Sequence, residues 1–143
     1  MIKRTTARGI MFMYNSRGEK CIALIQRVRS DQPKCYVVPG GGVEGNETVF
    51  QAVEREMYEE LGVTCKALEI VEKHENATGI DSFILCKYVE GRFGTGTEPE
   101  YTDPIRKTER GQYHPVLVTT EEITKINLVP ADLGKVILKY DNN

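Results

Sequence analysis

Residues 41–63, GGVEGNETVFQAVEREMYEELGV, constrain this chain more than any other stretch. Phe50, Val53, Met57 and Leu61 recur at helical spacing and predict one apolar stripe. Glu56, Glu59 and Glu60 stand at i, i+3 and i+4, which places three carboxylates on one flank of the same helix. At ~100° per residue they fall within an arc of roughly 100° beside the stripe. Like charges at this spacing repel by ~0.2–0.5 kcal/mol per pair in water, and by more when partly buried. A glutamate-rich helix by itself reads as a solvated face. Here, however, Pro39-Gly40-Gly41-Gly42 precedes it, a run that cannot be helix and that predicts a flexible turn with exposed carbonyls. Thr48 is the expected N-cap and Gly62 the expected stop. A glycine turn leading into a carboxylate flank suits a hard divalent ion such as Mg²⁺, which takes oxygen ligands and keeps waters for a phosphate substrate.

The fixed residues of this stretch are Gly41, Glu47, Arg55, Glu56, Met57, Glu59, Glu60, Gly62 and Val63. Their spacing resembles the signature of the Nudix hydrolases, G-x5-E-x7-R-E-U-x-E-E-x-G-U with U bulky and apolar, at every fixed position. The resemblance implies one α/β domain over residues 1–143, an α/β/α sandwich with a mixed β-sheet and the signature as loop–helix–loop. It implies a pyrophosphohydrolase using Mg²⁺ or Mn²⁺ on a nucleoside diphosphate linked to another group. Residue by residue, it implies Glu56 and Glu60 as metal ligands, Glu59 as a ligand directly or through water, and the Gly40 carbonyl as a backbone ligand. Arg55 would orient the carboxylates by an ion pair with Glu59, and Glu47 would brace the geometry. Glu44 is a further candidate ligand and Gly41 a candidate substrate contact. A carboxylate near the metal-bound water would act as base.

The length of 143 residues is that of one domain with a sizeable core. A net charge of −2 argues against a nucleic-acid polymer as partner. Cys21, Cys35, Cys65 and Cys86 form no CxxC pair and no zinc-type cluster with histidine. Three of them sit among apolar residues and read as buried thiols of a reducing compartment, which predicts a cytoplasmic protein. The apolar run near the N-terminus is too short for a signal peptide, and no stretch approaches membrane-spanning length. The resemblance allows a homodimer, as in many relatives.

Along the chain, strands are expected over residues 7–14 and 21–26, joined by the turn cluster Asn15-Ser16-Arg17-Gly18. Arg27, Arg29 and Lys34 fall in an expected loop. They read either as solvated charge or, for Arg27 and Arg29, as contacts to substrate phosphate, which a guanidinium fork fits. A short strand at residues 36–38 should deliver the glycine turn. Further strands are expected over 63–71, 80–89 and 112–119, with a turn over 72–79 that leaves His74 solvated. His114 reads as structural. Thr120 should cap a short helix ending near Ile126, and Val129-Pro130 should open a last helix with the stripe Leu133, Val136, Ile137 and Tyr140. Residues 90–111 show no period, and a loop this long is functional or mobile. Glu98 and Glu100 in it are candidates for an extra catalytic or metal-bound carboxylate, with Gly94 and Gly96 as hinges.

Substrate identity is less legible. No proline near Thr78 marks an ADP-ribose hydrolase, no tyrosine at residues 79–81 marks a diadenosine polyphosphate hydrolase, and IALIQRVRSDQPKC shows no coenzyme A pattern. Nucleoside triphosphates, oxidised ones included, are therefore expected ahead of nucleotide sugars and ADP-ribose. The competing class is a nucleotide-sensing module without catalysis; such domains usually lack a signature glutamate, and none is missing here.

Overall fold

The computed structural model describes residues 4–96 and 112–141. Glu98 and Glu100 lie outside these residues. The chain runs β1 (Arg4–Tyr14), β2 (Lys20–Arg29), β3 (Gln32–Val37), β4 (Gly40–Gly42), α1 (Val49–Leu61), β5 (Val63–Asn76), β6 (Gly79–Gly91), β7 (Gln112–Thr119), a 3₁₀ helix (Thr120–Lys125) and α2 (Leu133–Asp141). All strands join one mixed sheet of order β3-β2-β1-β6-β5, with β4 on β1 and β7 on β2. β1 and β6 are parallel from Arg4↔Gly79 to Phe12↔Lys87, and the other pairs are antiparallel.

Alternation along β1 builds the two faces. Ala7, Met11 and Met13 point to a core beneath α1, while Ile10 points to a second core closed by Ile123, Leu128, Leu133 and Ile137. The result is an α/β/α sandwich, as expected. Within α1, Val53, Met57 and Leu61 are fully buried together with Ala52, each large side chain contributing roughly 1.5–3 kcal/mol. Phe50 corrects the expected stripe: it is 37% exposed and the buried face turns through Ala52 instead. The ends of α1 follow the local signals. The Thr48 hydroxyl accepts from Gln51 N at 3.1 Å and the Gln51 side chain accepts from Thr48 N at 2.9 Å, a reciprocal capping box. Gly62 closes the helix in the left-handed conformation.

Several boundaries differ from the sequence reading, those of the strands because long-range pairing overrides local polarity. Arg27 and Arg29 lie in β2, not in a loop, because β2 pairs with β3 on one side and β7 on the other. Residues 72–76 continue β5 beyond three earlier register shifts and pair regularly with β6, so the turn shrinks to residues 77–78. There the Asn76 carboxamide oxygen accepts from Thr78 N, Thr78 Oγ1 and Gly79 N at 2.7–3.1 Å. Residues 40–42 are a strand paired to Thr6–Arg8 rather than a flexible turn. The short helix is 3₁₀, and its cap position, Thr119, makes no side-chain hydrogen bond. Pro130 opens only an i→i+3 turn, with its carbonyl accepting from Leu133 N at 3.2 Å, before α2 begins.

Candidate active site

Arg55 projects from α1 into the carboxylates of the signature. Its Nε and Nη2 grip Glu47 at 2.7 and 3.0 Å, and its Nη1 reaches Glu56 at 3.0 Å and Glu59 at 3.2 Å. Nη2 also donates to the Gly42 carbonyl at 3.0 Å, and Nε lies 3.5 Å from Glu44, whose side chain is 71% exposed. One guanidinium thus serves four carboxylates. Arg55 relieves part of the repulsion among these four carboxylates. The carboxylates around Arg55 hold its proton more firmly than usual, chiefly through the bond to Glu47. The same bond holds Glu47 down to about 2. Glu56 moves the other way: burial raises it, Glu59 and Glu44 add to the rise, and Arg55 opposes it.

Glu56 is 8% exposed because the glycine strand lies flat against it. A Cβ on Gly41 would stand 2.6 Å from Glu56 Oε1, so only hydrogen fits there. Gly40 carries φ +150°, and a Cβ there would meet the Ala7 carbonyl at 2.2 Å. Glycine is needed at both positions for close approach, a stricter demand than flexibility. Glu60 accepts a hydrogen bond from Gly40 N at 3.2 Å. Glu56, Glu59 and Glu60 are oxygen donors of the kind a hard cation takes, but the structure does not gather all three carboxylates within 4.8 Å of one another. The buried, upward-shifted Glu56 fits such a cation, since positive charge would restore the anion that burial disfavours.

Beside Gly40 and Glu60 opens a cavity of about 500 Å³. It exists because β1 and β2 pair only over Phe12–Tyr14 and Lys20–Ile22. Beyond that they diverge, β1 to β4 and β2 to β3. The Tyr36 backbone, bonded to Asn127 O and Val129 N at 2.9 Å, brings Val129 and Pro130 to its rim. Arg27 lines the cavity with its guanidinium 5.5 Å from the Tyr113 ring centroid; its Nε is buried and has no hydrogen-bond partner among the described residues. Arg29 instead donates to the Tyr113 hydroxyl at 3.2 Å, a bond that raises its already high affinity for the proton, and it is not among the lining residues. Gly41 faces Glu56 rather than the cavity.

The sequence reading missed Arg4, Arg8 and Asp81, which also line the cavity. One signal was available: Arg4, Thr6 and Arg8 alternate on a single face of β1 where Ile10 then turns apolar, an interruption in the core pattern. His74 is a further correction. It is half-buried in β5, edge-on to Phe83 at 5.0 Å, with Nε2 3.3 Å from Glu72 and 3.0 Å from Asp132. Among the described residues, this trio is the one set whose ligating atoms gather within 4.8 Å. His114 lies in β7, exposed, with Nε2 3.0 Å from Gln112 Oε1. No helix among the described residues is long and apolar enough to cross a membrane.

Comparison with solved structures places the fold among related hydrolases. The chain is similar to a Nudix hydrolase from Nitrosomonas europaea, with 17% identity over 100% of this chain and 74% of that one, at a TM-score of 0.72. It is similar to an ADP-ribose pyrophosphatase from Streptococcus suis, with 18% identity over 99% and 94% and a TM-score of 0.64. The ORF135 protein of E. coli matches with 22% identity over 96% and 88% and a TM-score of 0.62. At these identities the likeness is one of fold. No curated protein matches the chain. The model of the NUDIX domain matches residues 3–136, nearly the whole chain, and the protein therefore belongs to the Nudix family.

Proposed function

We propose that this protein is a metal-dependent pyrophosphohydrolase acting on nucleoside diphosphates linked to another group. The observation that carries the reading is the juxtaposition of the Arg55-braced carboxylates with an arginine-lined cavity, meeting at Gly40 and Glu60. Nudix hydrolases as a family use divalent metals, and Glu56, Glu59, Glu60 and the Gly40 carbonyl are the groups that would hold Mg²⁺ or Mn²⁺ here. When bound, the ion would activate water and neutralise charge developing on the phosphoryl oxygens. In the reaction, water adds to a phosphorus of the diphosphate, the bridging P–O bond breaks, and a phosphoryl-containing group leaves with the bridging oxygen. Arg55 keeps Glu56 and Glu59 oriented, Glu47 keeps Arg55 in place, and Arg27 pairs with substrate phosphate. A carboxylate of the signature accepts the proton of the attacking water.

Nucleoside triphosphates, oxidised ones included, are the favoured substrates; nucleotide sugars and ADP-ribose are the alternatives, the latter being the named substrate of the S. suis relative. Four free cysteines suit a cytoplasmic setting. The test is a nucleotide panel with Mg²⁺ or Mn²⁺, products scored by mass. Turnover of a pyrophosphate-containing member supports the reading. Binding without turnover of any member would reassign the protein as a nucleotide sensor.

A further inference from the structure

Glu72, His74 and Asp132 gather on the α2 side of the sheet, and nothing in the proposed reaction uses them. Glu72 and His74 stand at i, i+2 on one face of β5, and Asp132 arrives from the turn just before α2. One ring atom, His74 Nε2, faces both carboxylates, with Glu72 Oε2 at 3.3 Å and Asp132 Oδ2 at 3.0 Å. One ligating atom from each residue lies within 4.8 Å of the other two. The ring stands edge-on to Phe83 with centroids 5.0 Å apart, so packing on the second core fixes its orientation.

Two observations set this trio apart from an ordinary surface ion pair. The first is charge. Among the described residues neither Glu72 nor Asp132 is paired with a lysine or an arginine. His74 brings at most one positive charge to two negative ones, and a hydrogen on Nε2 can point well at only one oxygen. The carboxylates of the signature differ, since they share the Arg55 guanidinium. The second is spacing. Zinc bonds of ~2.0–2.2 Å to nitrogen and oxygen place neighbouring ligands of a tetrahedral ion ~3.4 Å apart. The separations of 3.0 and 3.3 Å at Nε2 are already close to that. An ion among the three donors takes the place of the contested hydrogen. An imidazole nitrogen beside two carboxylates suits Zn²⁺, whereas Mg²⁺ takes oxygen ligands. Asp132 is 57% exposed, which leaves water access to a fourth position.

We propose that Glu72, His74 and Asp132 form a Zn²⁺ site, separate from the signature, that fastens the start of α2 to β5. Asp132 follows Val129 and Pro130 at the cavity rim and precedes Leu133, which closes the second core. The bound ion therefore holds the rim segment against the edge of the sheet. Its role is structural and does not depend on the reaction proposed above.

The chain has two histidines, His74 and His114, which makes the test direct. The imidazole nitrogens of the isotope-labelled full chain are followed by NMR as Zn²⁺ is added over excess Mg²⁺, with His114→Gln assigning the two sets of signals. The His74 signals should shift and saturate, while those of His114, whose Nε2 faces Gln112, should stay in place. Asp132→Asn and Glu72→Gln should each raise the Zn²⁺ concentration needed by at least ~10-fold, the smallest cost seen when even an outer partner of a metal ligand is lost. Zn²⁺ should also raise the melting temperature of wild type, and Asp132→Asn should lose that rise. Melting without metal confirms that both variants fold. His74 signals that stay fixed up to millimolar Zn²⁺, or that shift at wild-type concentrations in both variants, would overturn the proposal. The readout needs no substrate, so it stands whether or not the protein hydrolyses nucleotides.

Discussion

Arg55 and Glu47 meet through two parallel hydrogen bonds, Nε to Oε2 at 2.7 Å and Nη2 to Oε1 at 3.0 Å. The pair joins α1 to the loop in front of it, and it sets a pH dependence. Glu47 is lowered from the usual 4.5 to about 2. A depressed carboxylate contributes stability that is fully present above 4.5 and is lost as pH falls towards 2. Wild type should therefore melt above Glu47→Gln at neutral pH, and the gap should close between these two values. Melting temperatures of both proteins across that range check this; a gap independent of pH would show that the ion pair contributes little.

Activity should depend on a divalent ion. Chelator-treated protein should be inactive on any substrate the panel identifies and recover with Mg²⁺ or Mn²⁺. Full turnover after rigorous chelation would remove the metal from the mechanism.

Glu60→Gln should lower turnover by at least ~10²-fold, the cost of losing one electrostatic stabiliser. Its stability without metal should hold or rise, because the amide oxygen still accepts from Gly40 N and one negative charge leaves the flank. Near-wild-type turnover would exclude Glu60 as a ligand.

Gly41→Ala should damage both stability and rate. The added methyl would stand 2.6 Å from Glu56 Oε1 and must displace either the glycine strand or the carboxylate. A loss of ~1–3 kcal/mol is expected from overpacking, with turnover falling more than tenfold because Glu56 is moved. A variant as stable and active as wild type would mean that Glu56 can swing aside freely.

The segment carrying Glu98 and Glu100 starts from the end of α1. Gly94 N and Thr95 N donate to the Leu61 carbonyl at 2.9 and 3.3 Å, and a Cβ on Gly96 would meet the Glu60 carbonyl at 2.2 Å. These contacts hold Gly94 and Gly96, the expected hinges, against the backbone at the end of α1. Glu98→Gln or Glu100→Gln should lower the maximal rate and alter its pH profile with the fold intact. Unchanged rate and profile in both single variants and the double variant would remove both carboxylates from the chemistry.

What could be read from the sequence follows the range of the forces involved. Helix α1 was legible to the residue at Thr48 and Gly62, because capping and the Val53–Met57–Leu61 stripe are local. The ion pair between Arg55 and Glu59, implied by the resemblance, also agrees with their i, i+4 spacing. The extension of β2 through Arg29 and of β5 through Asn76 was not, since polar residues there are held by partners far along the chain. His74 was misread for the same reason: Asp132, one of its partners, arrives from the turn before α2. Arg4 and Arg8 escaped notice because the cavity they line is made by the divergence of two strands, which no local pattern records.

The parallel pairing of β1 with β6 also dictates when the cavity can come into being. Arg4 meets Gly79 and Arg8 meets Phe83 across some 75 residues of chain, with helix α1 lying between them in sequence. Closing so long a loop is slow compared with forming a capped helix. During refolding, helical signal should therefore appear before the protein can bind nucleotide, and a chain ending before β6 would carry every residue of the signature yet have no cavity in which to use them.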